Sequence, residues 1–133
     1  MHTILIADDD ANIITALARR LEANNYNVLA APDGFEAMKL VLEERPDLVI
    51  LDIWMPIGIG FSVAERIKEL RLDIPIIFLT ASNTPGLCEA AREIGVVGYM
   101  EKPYDPQELL DLIKTTLDKR RATAGRSPQP QAT

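Results

Sequence analysis

The chain has 133 residues, of which 47% are hydrophobic and 26% are charged, and its net charge is −6. These values are typical of one soluble globular domain that can bury a core without disulfides. The acidic balance argues against direct binding to nucleic acid. Cys88 is the single cysteine, so the chain forms no intramolecular disulfide, as is typical of proteins in a reducing compartment.

Neither a signal peptide nor a membrane span is predicted. Residues 1–4 lack the basic region followed by an apolar run that marks a secreted chain. No apolar stretch approaches the about 20 residues that a transmembrane helix needs. We therefore expect a cytoplasmic protein that does not contact a membrane.

Five short apolar runs predict the strands of a buried parallel sheet. They are residues 4–7, 28–31, 48–51, 76–79 and 96–100. Continuous apolar runs of this length are typical of strands that are covered on both faces, whereas half-exposed strands alternate apolar and polar residues. The second run is the weakest and predicts an edge strand.

Amphipathic segments between these runs predict helices. In residues 12–23 and 106–119, apolar residues recur at the spacing of one helix face. Thr84-Pro85 and Asp105-Pro106 each place a capping residue before a proline suited to the first helical position. Strand and helix therefore alternate five times, which predicts an open parallel sheet with helices on both faces.

The last residues of the sequence differ from the rest. Residues 122–133 are rich in Ala, Pro, Gln, Ser and Thr and contain no large apolar residue to anchor them. We therefore predict one domain over residues 1–120 and a disordered tail, or the start of a linker, over residues 121–133.

Polar residues with compatible chemistry follow the predicted strands. They are Asp8, Asp9 and Asp10 after the first strand, Asp52 after the third, Thr80 after the fourth, and Lys102 and Pro103 after the fifth. Ligands of open parallel sheets bind at the carboxyl ends of the strands, near the point where the strand order reverses. If the order is 2-1-3-4-5, the first and third strands are neighbours, so Asp8, Asp9 and Asp52 converge in one cleft. Asp10 precedes a helical segment and is predicted to cap it.

Three carboxylates in one cleft repel one another, and a divalent cation would remove that cost. Oxygen ligands of this kind favour Mg²⁺ (or Mn²⁺), and no His or Cys lies nearby to favour zinc. An aspartate such as Asp52 can also act as a nucleophile and form an aspartyl phosphate. The metal ion, the Lys102 ammonium and the Thr80 hydroxyl would then stabilise the oxygens of the transferred phosphoryl group.

Four motifs, in this order and at the ends of the expected strands, resemble the response-regulator receiver family of two-component signalling. They are residues 4–10 (ILIADDD), 51–56 (LDIWMP), 79–81 (LTA) and 99–103 (YMEKP). The resemblance covers roughly residues 3–119. It implies an α/β, flavodoxin-like fold with five parallel strands in the order 2-1-3-4-5.

The resemblance also implies roles for the residues of the cleft. Asp52 matches the phosphoacceptor, while Thr80 and Lys102 match the hydroxyl and the ammonium that contact the phosphoryl group. The groups that match metal ligands are Asp8, acting mostly through water, Asp9, Asp52 and the backbone carbonyl of Trp54.

Four further positions have implied roles. Thr80 and Tyr99 match the residues that move when the domain switches, and Pro103 matches a proline after a cis peptide bond that turns the lysine inward. Trp54 and Ser82 match the positions that tune the phosphoryl lifetime. A bulky Trp54 and a Ser82 that activates water poorly predict a long-lived phosphoryl group.

The segment after Asp52 departs from the family pattern. Many members have an acidic residue before the glycine that matches Gly60, whereas this chain has Ile59. Gly58 and Gly60 predict a mobile loop at this point, because glycine has the least restrained backbone.

The implied function is a signalling switch that receives its phosphoryl group from a sensor histidine kinase or a histidine phosphotransfer protein. Such a domain catalyses only its own phosphorylation and dephosphorylation and is not otherwise an enzyme. It changes partner binding through its fourth helix, fifth strand and fifth helix, roughly residues 84–119. The target is a separate protein or a covalently linked output domain, and a phosphorylation-dependent homodimer is an alternative.

Two other functions use similar residues. A phosphatase of the haloacid dehalogenase type also has an aspartate nucleophile and Mg²⁺, but it needs a second acid two residues later, where this chain has Trp54. A pseudo-receiver that only binds other proteins has no need of the full set of acids with Thr80 and Lys102.

Overall fold

The computed structural model describes residues 1–53, 60–81 and 86–126, with side chains described as far as residue 120. Strands and helices alternate along the chain. They are β1 (Thr3–Ala7), α1 (Ala11–Ala23), β2 (Asn27–Ala31), α2 (Gly34–Glu44), β3 (Leu48–Asp52), α3 (Gly60–Glu69), β4 (Ile76–Thr80), α4 (Leu87–Ile94), β5 (Gly98–Glu101) and α5 (Pro106–Arg126). The chain divides into two compact units, and the first, Met1–Pro103, contains every one of these strands.

The strands form one parallel sheet in the order β2-β1-β3-β4-β5, which confirms the predicted order. Every residue of β3 and of β4 is buried. This explains why their sequences are continuous apolar runs, since neither face meets water. The edge strand β2 has only Ala31 buried, in keeping with its weaker pattern.

The core of the first unit lies where the helices cover the central strands. Phe78 of β4 is fully buried, and its ring lies 5.1 Å from that of Phe61 in a tilted arrangement of 57°. Such an aromatic pair contributes about 0.5–1.5 kcal/mol beyond the burial of its area. It holds α3 against the middle of the sheet.

Helix starts follow the predicted capping chemistry where the structure describes them. Asp10 accepts a hydrogen bond of 2.9 Å from the backbone N–H of Asn12 and caps α1. In the second unit, Asp105 accepts one of 2.9 Å from the N–H of Gln107 at the start of α5. The start predicted at Thr84-Pro85 lies outside the described residues, and α4 has Gly86 as its N-cap.

Two boundaries differ from prediction. β5 begins at Gly98 rather than at residue 96, because the N–H of Val96 bonds to the carbonyl of Ala91 and closes the end of α4. α5 continues to Arg126 instead of ending at residue 119.

Within the described part of the chain, none of the helices is long and apolar enough to span a membrane.

Gly60 does not belong to a mobile loop, and that prediction is wrong for this residue. It is the buried first residue of α3, and its N–H donates a hydrogen bond of 2.8 Å to the carbonyl of Ile53. A Cβ atom added to Gly60 would lie 2.6 Å from the carbonyl oxygen of Asp52. Glycine is therefore needed because the helix start packs directly on the end of β3. Gly58 lies outside the described residues.

We predict that Gly60→Ala destabilises the domain by about 1–3 kcal/mol, because the added methyl group overpacks a backbone contact. Alanine otherwise stabilises a helix relative to glycine, so the helix propensity acts in the opposite direction. The measurement is urea unfolding followed by circular dichroism. Ser62→Ala, on the exposed side of the same helix, is the control and should change stability by less than about 0.5 kcal/mol. A Gly60→Ala variant as stable as the wild type would contradict the steric explanation.

Candidate functional site

Backbone hydrogen bonds bring the residues that follow the strands to one edge of the sheet. The N–H of Asp8 bonds to the carbonyl of Ala31 at 3.1 Å, and the N–H of Lys102 bonds to the carbonyl of Thr80 at 2.7 Å. Asp52 is the last residue of β3 and pairs in register with Leu79. The site residues are therefore held by the ladder of the sheet rather than by a free loop.

Three of these residues form an acidic cluster. Asp8, Asp9 and Asp52 each offer a carboxylate oxygen, and the three oxygens lie within 4.8 Å of one another. Asp8 is 2% exposed and Asp52 is 6% exposed, whereas Asp9 is open to solvent. At that separation each pair of like charges costs roughly 3 kcal/mol for an effective dielectric constant of about 20. The predicted convergence of these acids is what the structure shows.

Lys102 is the cation of the cluster. Its Nζ lies 2.8 Å from Oδ2 of Asp8 and 3.7 Å from Oδ2 of Asp52. Its side chain is only 15% exposed, so the ammonium is largely withdrawn from water. One ammonium beside three carboxylates leaves an excess of two negative charges. A divalent cation balances that excess, and a set of oxygen donors suits Mg²⁺.

Asp8 and Asp10 have separate tasks although they are close in sequence. The backbone N–H of Asp10 donates a hydrogen bond of 2.9 Å to Oδ1 of Asp8, while Oδ2 of Asp8 accepts from Lys102. Both oxygens of Asp8 are therefore engaged by the protein. The side chain of Asp10 caps α1 and is not part of the acidic cluster, as its position before a helix predicted.

The orientation of Asp8 by the amide of Asp10 was not anticipated from the sequence. An aspartate that accepts from the N–H two residues later forms a local turn, and Asp is a residue that favours this arrangement. The signal for this turn is present in the sequence, since an aspartate stands two residues before Asp10.

Thr80 and Pro103 lie beside the cluster. Thr80 is the fully buried last residue of β4. The peptide bond between Lys102 and Pro103 is cis, as the resemblance implied. Lys102 follows β5 directly and has its side chain among the acids.

Tyr99 lies in β5, half-buried against the hydrophobic core. Burial raises the pKa of its phenol above the ordinary value, and the charges of Cys88 and Glu101 raise it further. The phenol therefore stays neutral at physiological pH and keeps its ability to donate a hydrogen bond. Trp54 and Ser82 lie outside the described residues, so the metal-binding carbonyl and the lifetime-tuning positions stay predictions.

Comparison with known proteins decides the family. A family model described as the response regulator receiver domain matches residues 4–114. The chain belongs to the response regulator receiver family. Receiver domains of this family bind Mg²⁺ at a cluster of aspartates, and the acidic cluster of this chain is composed in that way.

Two curated relatives of this receiver domain are named as transcriptional regulatory proteins. One is the alkaline phosphatase synthesis transcriptional regulatory protein PhoP of Bacillus subtilis, 36% identical over 121 residues that cover 91% of this chain and 50% of PhoP. Another is the phosphate regulon transcriptional regulatory protein PhoB of Pseudomonas aeruginosa, 38% identical over 130 residues that cover 96% of this chain and 56% of PhoB. The chain thus spans about half the length of the curated relatives it matches.

A solved structure agrees with the receiver fold. The CheY-like response regulator receiver domain protein of Methanospirillum hungatei JF-1 aligns with a TM-score of 0.87 at 29% identity. The alignment covers 92% of this chain and 98% of that protein. The likeness extends over nearly the whole length of both chains.

We predict that Mg²⁺ raises the melting temperature of the wild-type domain, because a ligand that binds only the folded state stabilises it by mass action. Asp9→Asn removes one carboxylate from the cluster, so it should retain or gain stability without metal and lose most of the rise with metal. The measurement is thermal unfolding with and without saturating MgCl₂.

Asp10→Asn is the matched control for that experiment. It makes the same chemical change one residue away, and asparagine caps a helix about as well as aspartate does. Its response to Mg²⁺ should equal that of the wild type. A wild-type melting temperature that ignores Mg²⁺, or an Asp9→Asn variant that responds fully, would show that the cluster is not the metal site.

Proposed function

We propose that this chain is a phosphorylation-dependent switch that accepts a phosphoryl group on Asp52 from a sensor histidine kinase or a histidine phosphotransfer protein. The observation that carries the proposal is the placement of Asp52. Its carboxylate ends a buried strand, shares a cluster with two other acids, and lies 3.7 Å from the Lys102 ammonium. Nucleophile, cation and a site for Mg²⁺ (or Mn²⁺) are thus within reach of one phosphoryl group.

The transfer step forms one bond and breaks one. An oxygen of Asp52 attacks the phosphorus of the phosphohistidine, a P–O bond forms, and the P–N bond breaks. The electron pair returns to the imidazole nitrogen, which takes up a proton. Mg²⁺, when bound, supplies positive charge to the phosphoryl oxygens. Lys102 supplies more, because its Nζ is close to Asp52 and already desolvated.

The acids of the cluster have different tasks in this proposal. Asp9 is exposed and is assigned as a direct metal ligand together with Asp52. Asp8 is assigned an indirect role, since its two oxygens accept from Asp10 and Lys102. The backbone carbonyl of Trp54 completes the proposed ligand set on the basis of family resemblance alone.

The switch would operate through Thr80 and Tyr99. Thr80 lies at the end of β4, next to the end of β3, so a short movement would bring its hydroxyl to the phosphoryl group of Asp52. Tyr99 would exchange between more and less buried positions. Phosphorylation would thereby shift the population between two conformations that differ in α4, β5 and α5.

The partners follow from the donor and from the length of the relatives. A cytoplasmic phosphohistidine protein supplies the phosphoryl group. The signal passes to a protein target, to an output domain linked after a receiver domain of residues 1–120, or to a second phosphorylated copy. Residues 121–133, of which 121–126 continue α5, are assigned to a tail or linker. We assign no DNA binding to the domain itself, whose net charge is −6, and no reaction beyond its own phosphorylation and dephosphorylation.

We predict that acetyl phosphate adds one phosphoryl group to the wild-type chain in the presence of Mg²⁺ and that Asp52→Asn abolishes the adduct. Lys102→Ala should slow its formation by at least about 100-fold, because one charged donor to the developing oxyanions is lost. Intact-mass spectrometry over time measures both effects, and Asp10→Asn should react like the wild type.

The decay of the adduct then tests whether Trp54 and Ser82 give a long lifetime of the phosphoryl group, which rapid loss of phosphate would contradict.

If no adduct forms, a second measurement distinguishes a receiver domain that needs its protein donor from a domain that only binds other proteins. Trp54 is the single tryptophan of the chain, so its fluorescence should report Mg²⁺ bound beside it. Quenching without an adduct would mean a receiver domain that accepts only from its protein donor. Neither quenching nor adduct would replace the proposal with a domain that only binds other proteins. Continuous turnover of a small phosphate ester would instead indicate a phosphatase.

A further inference from the structure

An apolar groove between α2 and α3 lies apart from the acidic cluster and has no part in the function proposed above. Its apolar wall comprises Phe35, Met38 and Leu42 of α2 and Val63 of α3. Its volume is about 510 Å³. This is within the range of cavities that take up large ligand groups.

The α2 wall of the groove is an exposed apolar stripe. Phe35 is 69% exposed and Leu42 is 46% exposed, although both are large apolar residues. Phe35, Met38 and Leu42 have the spacing i, i+3, i+7, so they lie along one side of the helix over about 10 Å. The core is already covered by another side of α2, which includes Ala37 and Val41. Met38 also packs against the core, but Phe35 and Leu42 are left exposed by the fold, and exposed apolar surfaces of this kind mark binding sites.

The charged residues that line the groove are basic on both helices. Among the described residues that line the groove, the charged ones are Lys39 of α2 and Arg66 of α3. Both side chains are exposed, and neither forms an ion pair within the part of the chain that the structure describes. Two cations therefore line one groove of a chain whose net charge is −6, and an acidic partner would complement them.

We propose that this groove binds one amphipathic helix of another protein, whose apolar residues cover Phe35, Met38 and Leu42 and whose flanking acidic residues pair with Lys39 and Arg66. In helix-in-groove recognition an amphipathic helix lays its apolar face into a hydrophobic groove of this kind. A second copy of this chain is a poorer occupant. An isologous dimer through this groove would place the Lys39 and Arg66 of both copies, four cations in all, in one interface, and like charges in an interface disfavour association.

The proposal is tested with the full chain and two synthetic helical peptides. One carries Leu at positions i, i+3, i+4 and i+7 with Glu on both sides of that stripe, and the other has Lys in place of every Glu. Fluorescence anisotropy measures binding, and amide NMR shifts locate it. The Glu peptide should bind and shift the amides of α2 and α3, while the Lys peptide should not bind.

Variants of the chain sharpen the test. Phe35→Ser should weaken binding of the Glu peptide at least tenfold, and it should fold normally because the ring is mostly exposed. Val97→Ser, at an exposed apolar residue outside the groove, should leave binding unchanged. The double variant Lys39→Glu with Arg66→Glu should lose the Glu peptide and gain the Lys peptide. This exchange of specificity cannot come from loss of folding.

Three results would overturn the proposal. Equal binding of both peptides would show unspecific apolar contact, and failure of the Glu peptide to bind, or shifts outside α2 and α3, would exclude the groove. A concentration-dependent dimer seen in sedimentation and abolished by Phe35→Ser would show that a second copy occupies the groove instead. Each of these outcomes is measured on the unphosphorylated chain, so the proposed function could stand or fall separately.

Discussion

Lys102 places its ammonium 2.8 Å from Asp8 and 3.7 Å from Asp52, and the rest of the site depends on this contact. Three carboxylates so close together would repel one another strongly with no cation between them. Lys102 offsets part of that repulsion, but one positive charge is not enough to neutralise the cluster. The folded domain therefore has an excess of negative charge at this point. Such a charge excess favours the binding of a metal cation, which a metal-dependent phosphoryl acceptor needs.

The buried sheet holds this electrostatically unfavourable cluster in place. β3 and β4 are buried along their whole length, and burial of continuous apolar runs of this kind stabilises the fold against the repulsion within the cluster. Parallel pairing also fixes where each strand ends, so Asp52 and Thr80 are positioned by the ladder and not by flexible segments. The acids could not be held together by their own interactions, because those interactions are repulsive. The core holds them.

The positions of the strands and the convergence of the acids after them were predictable because both depend on local pattern, whereas the strand order was implied by the family resemblance. Apolar runs identify buried strands, and polar residues directly after them identify the carboxyl edge of the sheet. What the sequence did not predict depends on contacts between distant elements. Gly60 was assigned to a mobile loop because glycine permits motion, whereas in the fold it permits close packing on Asp52. The groove between α2 and α3 was missed for a similar reason, since the stripe that includes Phe35 is distinguished from a core stripe only by which side of the helix meets the sheet.

Gly60 also connects the two regions of the domain for which we propose functions. It begins α3, which forms one wall of the groove, and it packs on the carbonyl of Asp52 with no space for even a methyl group. Close-packed atoms are hardly compressible, so a displacement of one side of this contact is passed to the other side. If phosphorylation moves the end of β3, the start of α3 must respond, and the groove would then differ between the two states. By linkage, a helix that prefers the groove of one state would favour phosphorylation of Asp52 in that state by the same free energy. The close packing at one glycine thus gives a physical reason for the two sites to influence each other, although no residue belongs to both.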